Sequence, residues 1–90
     1  MYKLITTKQF EKDLKKCIKR GYPMAEFKTV VNLLVQEGCL PLKYKPHKLS
    51  GSKAGNWECH IRRDWLLVWQ QNDTELVLVL SCTGTHSDLF

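Results

Sequence analysis

The sequence lacks the features that mark membrane, secreted and multidomain proteins. None of its apolar runs could cross a bilayer, and the longest, Leu76–Leu80, has the length of a buried strand. Residues 1–10, MYKLITTKQF, contain neither the apolar stretch nor the small-residue cleavage site of a secretory signal. The 90 residues include only 5 Gly and 3 Pro and no linker, repeat or low-complexity tract. We therefore expect one domain over residues 1–90, located in the cytoplasm.

Closely spaced cysteine pairs are also missing. Cys17, Cys39, Cys59 and Cys82 are spread along the chain without a C-x-x-C spacing. In a reducing compartment such residues act mostly as small buried hydrophobic side chains. A zinc site is the less favoured alternative, because its ligands usually come in closely spaced pairs. We expect no metal site and no cofactor.

Acidic residues are scarce in the first half of the chain. The formal net charge is +5, and residues 1–50 carry eleven Lys and Arg against four Asp and Glu. Residues 51–90 carry three against five. This imbalance favours an acidic partner such as nucleic acid, a ribosome or an acidic protein, and a membrane surface fits less well. The alternative is that the lysines are simply solvated on outer helix faces.

The chain is predicted to begin with a strand and an amphipathic helix. Apolar alternation at Tyr2, Leu4 and Thr6 indicates a short strand in residues 1–6. Thr6 precedes Gln9 by three residues, the spacing of a capping box, and a helix over Lys8–Arg20 follows. The predicted apolar face of this helix comprises Phe10, Leu14, Cys17 and Ile18.

A second helix follows after a short break. Gly21 and Pro23 end the first helix, and the helical pattern resumes over Met24–Glu37 until Gly38 stops it. The short connection predicts an antiparallel helical hairpin. The apolar stripe of the second helix comprises Phe27, Val30, Val31 and Leu34.

The second half of the chain has the period of strands. Residues 42–49 are polar and basic, and Ser50–Gly55 is predicted to be a flexible turn region. Residues 57–62 alternate between apolar and polar side chains, which indicates a half-buried strand before a turn at Arg63–Asp64. Trp65–Gln70 and Leu76–Leu80 are predicted strands joined by a hairpin loop. The fold class is therefore α+β, an N-terminal strand and helical hairpin packed on a small, mostly antiparallel sheet.

All three histidines fall in this second half. His47 lies in the basic segment, His60 on the polar face of its strand, and His86 after the last strand. Residues two apart on a strand share a face, so Glu58, His60 and Arg62 are predicted to form a line. An ordinary solvated sheet face can have the same composition.

These side chains suit the cleavage of RNA through its 2′-hydroxyl. That reaction needs a base for the 2′-OH proton, an acid for the departing 5′-oxygen and a cation for the phosphate. Histidine can serve as acid or base near neutral pH, and arginine matches phosphate with paired donors. No metal ion is required, and the 2′-OH distinguishes RNA from DNA.

Three segments carry a more specific signal. They are YKPHKLSG at residues 44–51, ECHIRRDWLLVW at 58–69 and TGTHSDLF at 83–90. In this order they resemble the RelE superfamily of toxins from toxin–antitoxin systems, and its YafQ branch in particular. The resemblance covers essentially the whole chain.

The resemblance implies a ribosome-dependent endoribonuclease that cuts messenger RNA in the ribosomal A site. It also implies a cognate antitoxin, commonly with a DNA-binding domain that represses the operon. The functional positions of that branch carry over to six residues here, and Glu58 stands where aspartate is usual. These residues are His47, Glu58, His60, Asp64, His86 and Phe90.

On this interpretation Asp64 or His60 is the general base and His86 the general acid. His47 assists the base or binds phosphate, and Phe90 stacks on a nucleobase. The lysines of the first helix are expected to contact ribosomal RNA. Trp57, Trp65 and Trp69 are expected in the core or at its rim.

Cys82 departs from the pattern of the resemblance, because arginine is common at that position and is expected to hold the scissile phosphate. Arg62, Arg63 or Lys48 could replace it. A protein that binds the ribosome or RNA and blocks translation without cutting is therefore the second hypothesis. A third is a relative of the gyrase-poisoning toxins, which the histidine set disfavours.

Overall fold

The computed structural model describes all residues from Met1 to Phe90. It consists of three helices and a five-stranded sheet, one helix and one strand more than the sequence predicts. The helices are α1 (Lys8–Lys19), α2 (Met24–Glu37) and α3 (His86–Leu89). The strands are β1 (Lys3–Thr6), β2 (His47–Lys48), β3 (Trp57–Arg62), β4 (Trp65–Asn72) and β5 (Val77–Gly84).

The sheet has the order β1-β5-β4-β3-β2. β1 runs parallel to β5, and the other pairs are antiparallel. The predicted α+β class and mostly antiparallel sheet are thus confirmed. No helix has both the length and the apolar character needed to span a membrane.

The cap of α1 differs from the prediction by one residue. Thr7, not Thr6, is the N-cap, and its hydroxyl accepts the Phe10 backbone N–H at 3.0 Å. Thr6 is still paired with Leu80 in the sheet, so its backbone cannot turn into the helix. Its hydroxyl donates to Glu11 instead.

The buried face of α1 is rotated from the predicted one. Ile18 is 53% exposed, whereas Asp13 is only 8% exposed. Asp13 is held inside because its carboxylate accepts the Thr83 backbone N–H at 3.2 Å and a hydrogen bond from Gln9 at 2.8 Å. A carboxylate with two donors can replace an apolar residue at a helix–sheet contact.

The second helix has the predicted bounds. Gly38 ends it with φ +68°, and a Cβ at this position would lie 2.6 Å from the Tyr2 ring. Phe27 of α2 stacks on Phe10 of α1 at 5.9 Å and on Trp65 of β4 at 6.3 Å. Both helices therefore contribute to one apolar core on the same side of the sheet.

This core comprises residues from both helices, Leu40 and the helix-facing positions of three strands. The strand members are Cys59, Ile61, Trp65, Leu67, Trp69, Leu78 and Leu80.

Two β-bulges interrupt the alternation of the strands. In β3 the register shifts between His60 and Arg62, so Arg62 pairs with Trp65 and turns to the helix-facing side. In β5 the shift after Leu80 leaves Cys82 opposite Val68, away from the core. Bulges re-aim side chains in this way because one residue is added to one strand only.

The prediction of four buried cysteines holds for two. Cys17 and Cys59 are buried, Cys82 is intermediate and Cys39 is exposed. Cys39 follows the helix-ending Gly38 and lies in a loop outside the core. Burial and the neighbouring Glu58 carboxylate raise the pKa of Cys59 to about 12, which makes it an inert apolar residue.

Candidate active site

The sheet face opposite the helices carries a row of four paired residues. His47 of β2 lies opposite Glu58 of β3, which lies opposite Val68 of β4 and then Cys82 of β5. The next row consists of His60, Leu66 and Gly84. Directly paired residues project from the same side of a sheet, so His47, Glu58 and His60 share one surface.

His47 and Glu58 form an ion pair at one end of this surface. His47 Nε2 lies 3.1 Å from Glu58 Oε1, and its Nδ1 lies 2.8 Å from the Lys45 carbonyl oxygen. A carbonyl only accepts, so Nδ1 carries a proton. The imidazole therefore lies between the Lys45 carbonyl and the Glu58 carboxylate.

Glu58 is buried, although alternation placed it on a solvated face. It is 4% exposed, and its Oε2 has no hydrogen-bond partner. A buried carboxylate with a free oxygen is costly to fold, and such groups concentrate at functional sites.

His60 offers a free imidazole nitrogen beside this pair. Its Nδ1 lies 3.2 Å from the Arg63 carbonyl oxygen, so Nδ1 carries the proton and Nε2 has a lone pair when the ring is neutral. The His60 and His47 rings lie 6.5 Å apart. One histidine thus has a free ring nitrogen, and the other contacts a buried carboxylate.

Asp64 connects the β3–β4 turn to the segment that carries His86. Its Oδ1 accepts the His86 backbone N–H at 3.4 Å, a long hydrogen bond. Thr85 and Asp88 form a capping box that starts α3 at His86. The His86 and Phe90 rings lie 5.0 Å apart. Asp64 is therefore in contact with the backbone of the proposed acid.

The C-terminal segment is also tied to α1. Arg20 donates two hydrogen bonds to Asp88, at 2.6 and 3.2 Å. The Arg20 guanidinium and the Thr85 donors lower the pKa of Asp88 well below its ordinary value. This ion pair fixes the turn in which His86 and Phe90 lie.

Of the three cations expected to bind substrate, Arg62 and Arg63 line the same depression and Lys48 lies elsewhere. Arg62 does not join the predicted line with Glu58 and His60, because the β3 bulge turns it toward α2. There its Nε and Nη2 donate to the two carboxylate oxygens of Glu26. Lys48 lies over the Trp57 ring at 5.5 Å, on the helix-facing side of β3.

Arg63 lies beside His60. Together with Lys43, Lys45 and Arg62 it lines an open depression that also contains His60. Sequence reasoning did not single out Lys43 or Lys45 as site residues. Only their place in a basic segment close to His47 pointed to them.

Lys53 is a second residue that sequence reasoning missed. It ends a 3₁₀ turn over Gly51–Lys53 in the region predicted to be flexible, and its Nζ lies 5.4 Å from the centre of the Phe90 ring. No local pattern signals this contact, because Phe90 is far away in sequence.

The tryptophans have the predicted structural role. Trp65 and Trp69 are buried and Trp57 packs at the edge of the core. Trp65 Nε1 donates to Thr83 Oγ1 at 2.9 Å. No three His, Cys, Asp or Glu side chains are grouped to hold a metal ion.

Proteins similar to this chain in sequence and fold include bacterial toxins. The family model described as bacterial toxin of type II toxin–antitoxin system, YafQ, matches residues 2–90. The mRNA interferase toxin YafQ of Escherichia coli K12 is 37% identical over 83 residues, which cover 91% of this chain and 88% of that protein.

Solved structures of bacterial toxins also have this fold. YafQ in the E. coli DinJ–YafQ complex superposes with a TM-score of 0.90 at 34% identity, covering 100% of this chain and 99% of that chain. A metal-bound toxin from Helicobacter pylori gives a TM-score of 0.90 at 41% identity, with 100% of both chains covered.

The fold and the histidine-bearing sheet face therefore define a small α+β toxin of the RelE-like class. Within that class, the chain belongs to the YafQ family of type II toxin–antitoxin systems.

Proposed function

We propose that this toxin is an endoribonuclease that cuts messenger RNA in the ribosomal A site and thereby inhibits translation. The E. coli relative is named as an mRNA interferase. The observation that carries the proposal is the presence on one sheet face of the His47–Glu58 contact and, beside it, the free Nε2 of His60. An ordinary solvated strand would not bury Glu58 beneath a histidine.

The proposed reaction is the attack of the 2′-oxygen on the adjacent phosphorus. His60 Nε2 takes the 2′-OH proton, the bond from phosphorus to the 5′-oxygen breaks, and His86 gives a proton to that oxygen. The products are a 2′,3′-cyclic phosphate and a 5′-hydroxyl. Because neighbouring strands lie about 4.8 Å apart, Gly84 is roughly 10 Å from His60 across β4, and His86 follows two residues later.

Asp64 and His47 have supporting roles in this scheme. Asp64 accepts the backbone N–H of His86 and so positions the acid, which favours His60 over Asp64 as the base. His47, in contact with Glu58 on the same face, assists the base or binds the phosphate. Phe90, beside His86, is exposed and available to stack on a base.

The scheme is general acid–base catalysis and uses no metal ion. Cleavage of an RNA oligonucleotide by excess toxin should therefore persist in a chelator. Its product should carry a 2′,3′-cyclic phosphate, and a 2′-deoxy nucleotide at the cut position should abolish the reaction. Sensitivity to the chelator would assign the chemistry to a metal ion instead.

We also propose a cognate antitoxin as the partner that holds the toxin inactive. In the E. coli complex the toxin is bound by DinJ. The net charge of +5 suits an acidic antitoxin segment as well as ribosomal RNA. Coexpression with the neighbouring open reading frame should relieve growth arrest and yield a copurifying complex.

The central experiment is cell-free translation of a defined messenger followed by primer extension. Wild type should give cuts at fixed positions within codons, and His86→Ala should remove them. Asn32→Ala, on an exposed part of α2, is the matched control and should cut normally.

The competing function is a toxin that blocks translation without cutting. Cys82 favours it, because a thiol replaces the cation expected at the end of the row that begins with His47. Arrest of translation with an intact messenger in the same experiment would support this alternative and contradict cleavage.

A further inference from the structure

The active surface lacks a cation at one defined point. Cys82 ends the row that begins with His47 and continues through Glu58 and Val68. It is half-buried, and burial raises the pKa of its thiol, so the side chain is neutral near pH 7. A phosphate bound here would therefore need a positive charge from another residue.

Lys53 lies next to this point. Its Nζ is 5.4 Å from the centre of the Phe90 ring, and that ring is 5.0 Å from the His86 ring. The positive charge of Lys53 also acts on Cys82, where it opposes the effect of burial on the thiol pKa. Lys53 forms no ion pair with a carboxylate, so its ammonium group is available to an anion.

The backbone around Lys53 is attached to β5 by Asn56. Asn56 donates its side-chain and backbone N–H groups to the Lys53 carbonyl, each at 3.2 Å. Ser81, directly before Cys82, donates its hydroxyl to Asn56 Oδ1 at 3.4 Å. This chain of contacts places the turn that carries Lys53 beside Cys82.

The other candidate cations are less suitable. Arg62 is neutralised by Glu26, and Lys48 lies over Trp57 on the helix-facing side. Arg63 lines the depression around His60, which is on the strand pair remote from β5.

We propose that Lys53 binds the phosphate of the RNA substrate in place of the cation missing at Cys82, with Asn56 as a positioning residue. This inference rests on the proposed ribonuclease function. It assigns the phosphate contact to a loop residue that lies between the proposed acid, His86, and the β5 bulge.

The test compares two substitutions at Lys53 with a matched control at Lys28. Lys53→Met keeps the aliphatic stem and removes the charge, and it should reduce cleavage roughly 10- to 100-fold, as expected for loss of a charged contact to the reacting group. Lys53→Arg should restore most of the rate. Lys28→Met, an equal loss of charge on the exposed side of α2, should have little effect.

A second variant returns the cation to β5. Cys82→Arg should rescue Lys53→Met to within a few-fold of wild type and should change the wild-type rate far less. Circular dichroism and thermal unfolding of each variant separate a loss of folding from a loss of phosphate binding. If Lys53→Met cuts as fast as wild type, or Lys28→Met loses as much activity, the assignment is wrong.

Binding to uncleavable RNA tests Lys53 independently of catalysis. With an oligonucleotide methylated at its 2′-oxygens, Lys53→Met should bind more weakly and should lower the slope of log affinity against log salt by roughly 0.7. Equal affinity and slope would overturn the inference even if wild type cleaves. A wild type that never cleaves but loses affinity through Lys53→Met would instead overturn the proposed function and leave the phosphate contact standing.

Discussion

The two faces of the β3–β4–β5 sheet differ in how their buried residues are used. The helix-facing side buries a continuous apolar cluster that includes Cys59, Leu67 and Leu80. The opposite side also buries apolar residues, Leu66 at 1% exposure and Val68 at 2%, but places Glu58 between them and His47. The helix-facing side stabilises the fold, and the opposite side forms a buried apolar layer beneath His47 and Glu58.

The comparison shows how a chain of this size combines stability with a site. A small domain buries a modest apolar area, so it cannot spare a second core for function. Here the same strands supply side chains to both faces of the sheet, because alternate residues point to opposite sides. The cost of burying Glu58 is offset by the apolar cluster on the other side of the same strands.

The largest expected effect is on catalysis. His60→Ala or His86→Ala should lower the rate of messenger cleavage roughly 10²–10⁴-fold, the usual effect of losing a general base or acid. Since His60 is only partly buried and His86 is exposed, thermal unfolding should be nearly unchanged. Rates from primer extension and melting curves on the same preparations test this. A large loss of stability would contradict the assignment of stability to the helix-facing side and of catalysis to the opposite side.

A helix-facing substitution should have the converse effect. Leu67→Ala removes a fully buried side chain and should destabilise the domain by about 2–5 kcal/mol. At temperatures where the variant remains folded, its cleavage rate should stay close to that of wild type. Denaturant unfolding measures the first quantity and single-turnover cleavage the second. A catalytic loss in fully folded protein would show that the two faces are coupled.

Glu58 gives a smaller effect on stability, of opposite sign. Glu58→Met removes a buried carboxylate whose Oε2 has no partner, and replacing such groups by apolar side chains is often neutral or stabilising. We expect a gain of about 1 kcal/mol, or roughly 4–8 °C in Tm for a domain of this size. The cleavage rate should fall, because His47 loses the side chain that positions its ring. A stability loss above 1 kcal/mol would assign Glu58 to the fold instead of the site.

Sequence patterns predicted the first strand, the two long helices and the last three strands because these depend on local rules, but they missed the two-residue β2 and the short α3. Met24–Glu37 follows from an apolar stripe and a terminal glycine, and both are visible without tertiary contacts. The predicted line from Glu58 to Arg62 failed because a bulge adds a residue that alternation cannot reveal. Such a shift depends on the pairing of two strands and not on one strand's composition.

The candidate site was predictable in composition but not in geometry. The resemblance named His47, His60 and His86, yet neither it nor alternation indicated that Glu58 is buried. Contacts between distant segments were also hidden, above all Lys53 with Phe90 and Arg20 with Asp88. Each arises because the fold brings together segments whose local sequences carry no sign of the partner.

The smallest expected effect comes from the Arg20–Asp88 pair, which links the end of α1 to the C-terminal segment that carries His86. Arg20→Ala should lower cleavage by only roughly threefold to tenfold, because it loosens the turn that orients His86 without removing a reacting group. Lys19→Ala, the adjacent exposed cation, is the matched control.

The Arg20–Asp88 pair should also affect how the free energy of unfolding depends on pH. Arg20 lowers the pKa of Asp88, so the carboxylate is ionised in the folded state at pH values where it is protonated in the unfolded chain. The stabilisation is therefore complete above the unfolded pKa of about 3.9 and is lost as pH falls further toward the folded value. Wild type and Asp88→Asn should differ by a constant free energy of unfolding from pH 5 to 8, and the difference should shrink below about pH 4. A difference that shrinks instead between pH 6 and 8 would indicate that it depends on a histidine. A titrating group of the site would then control the stability of the C-terminal turn.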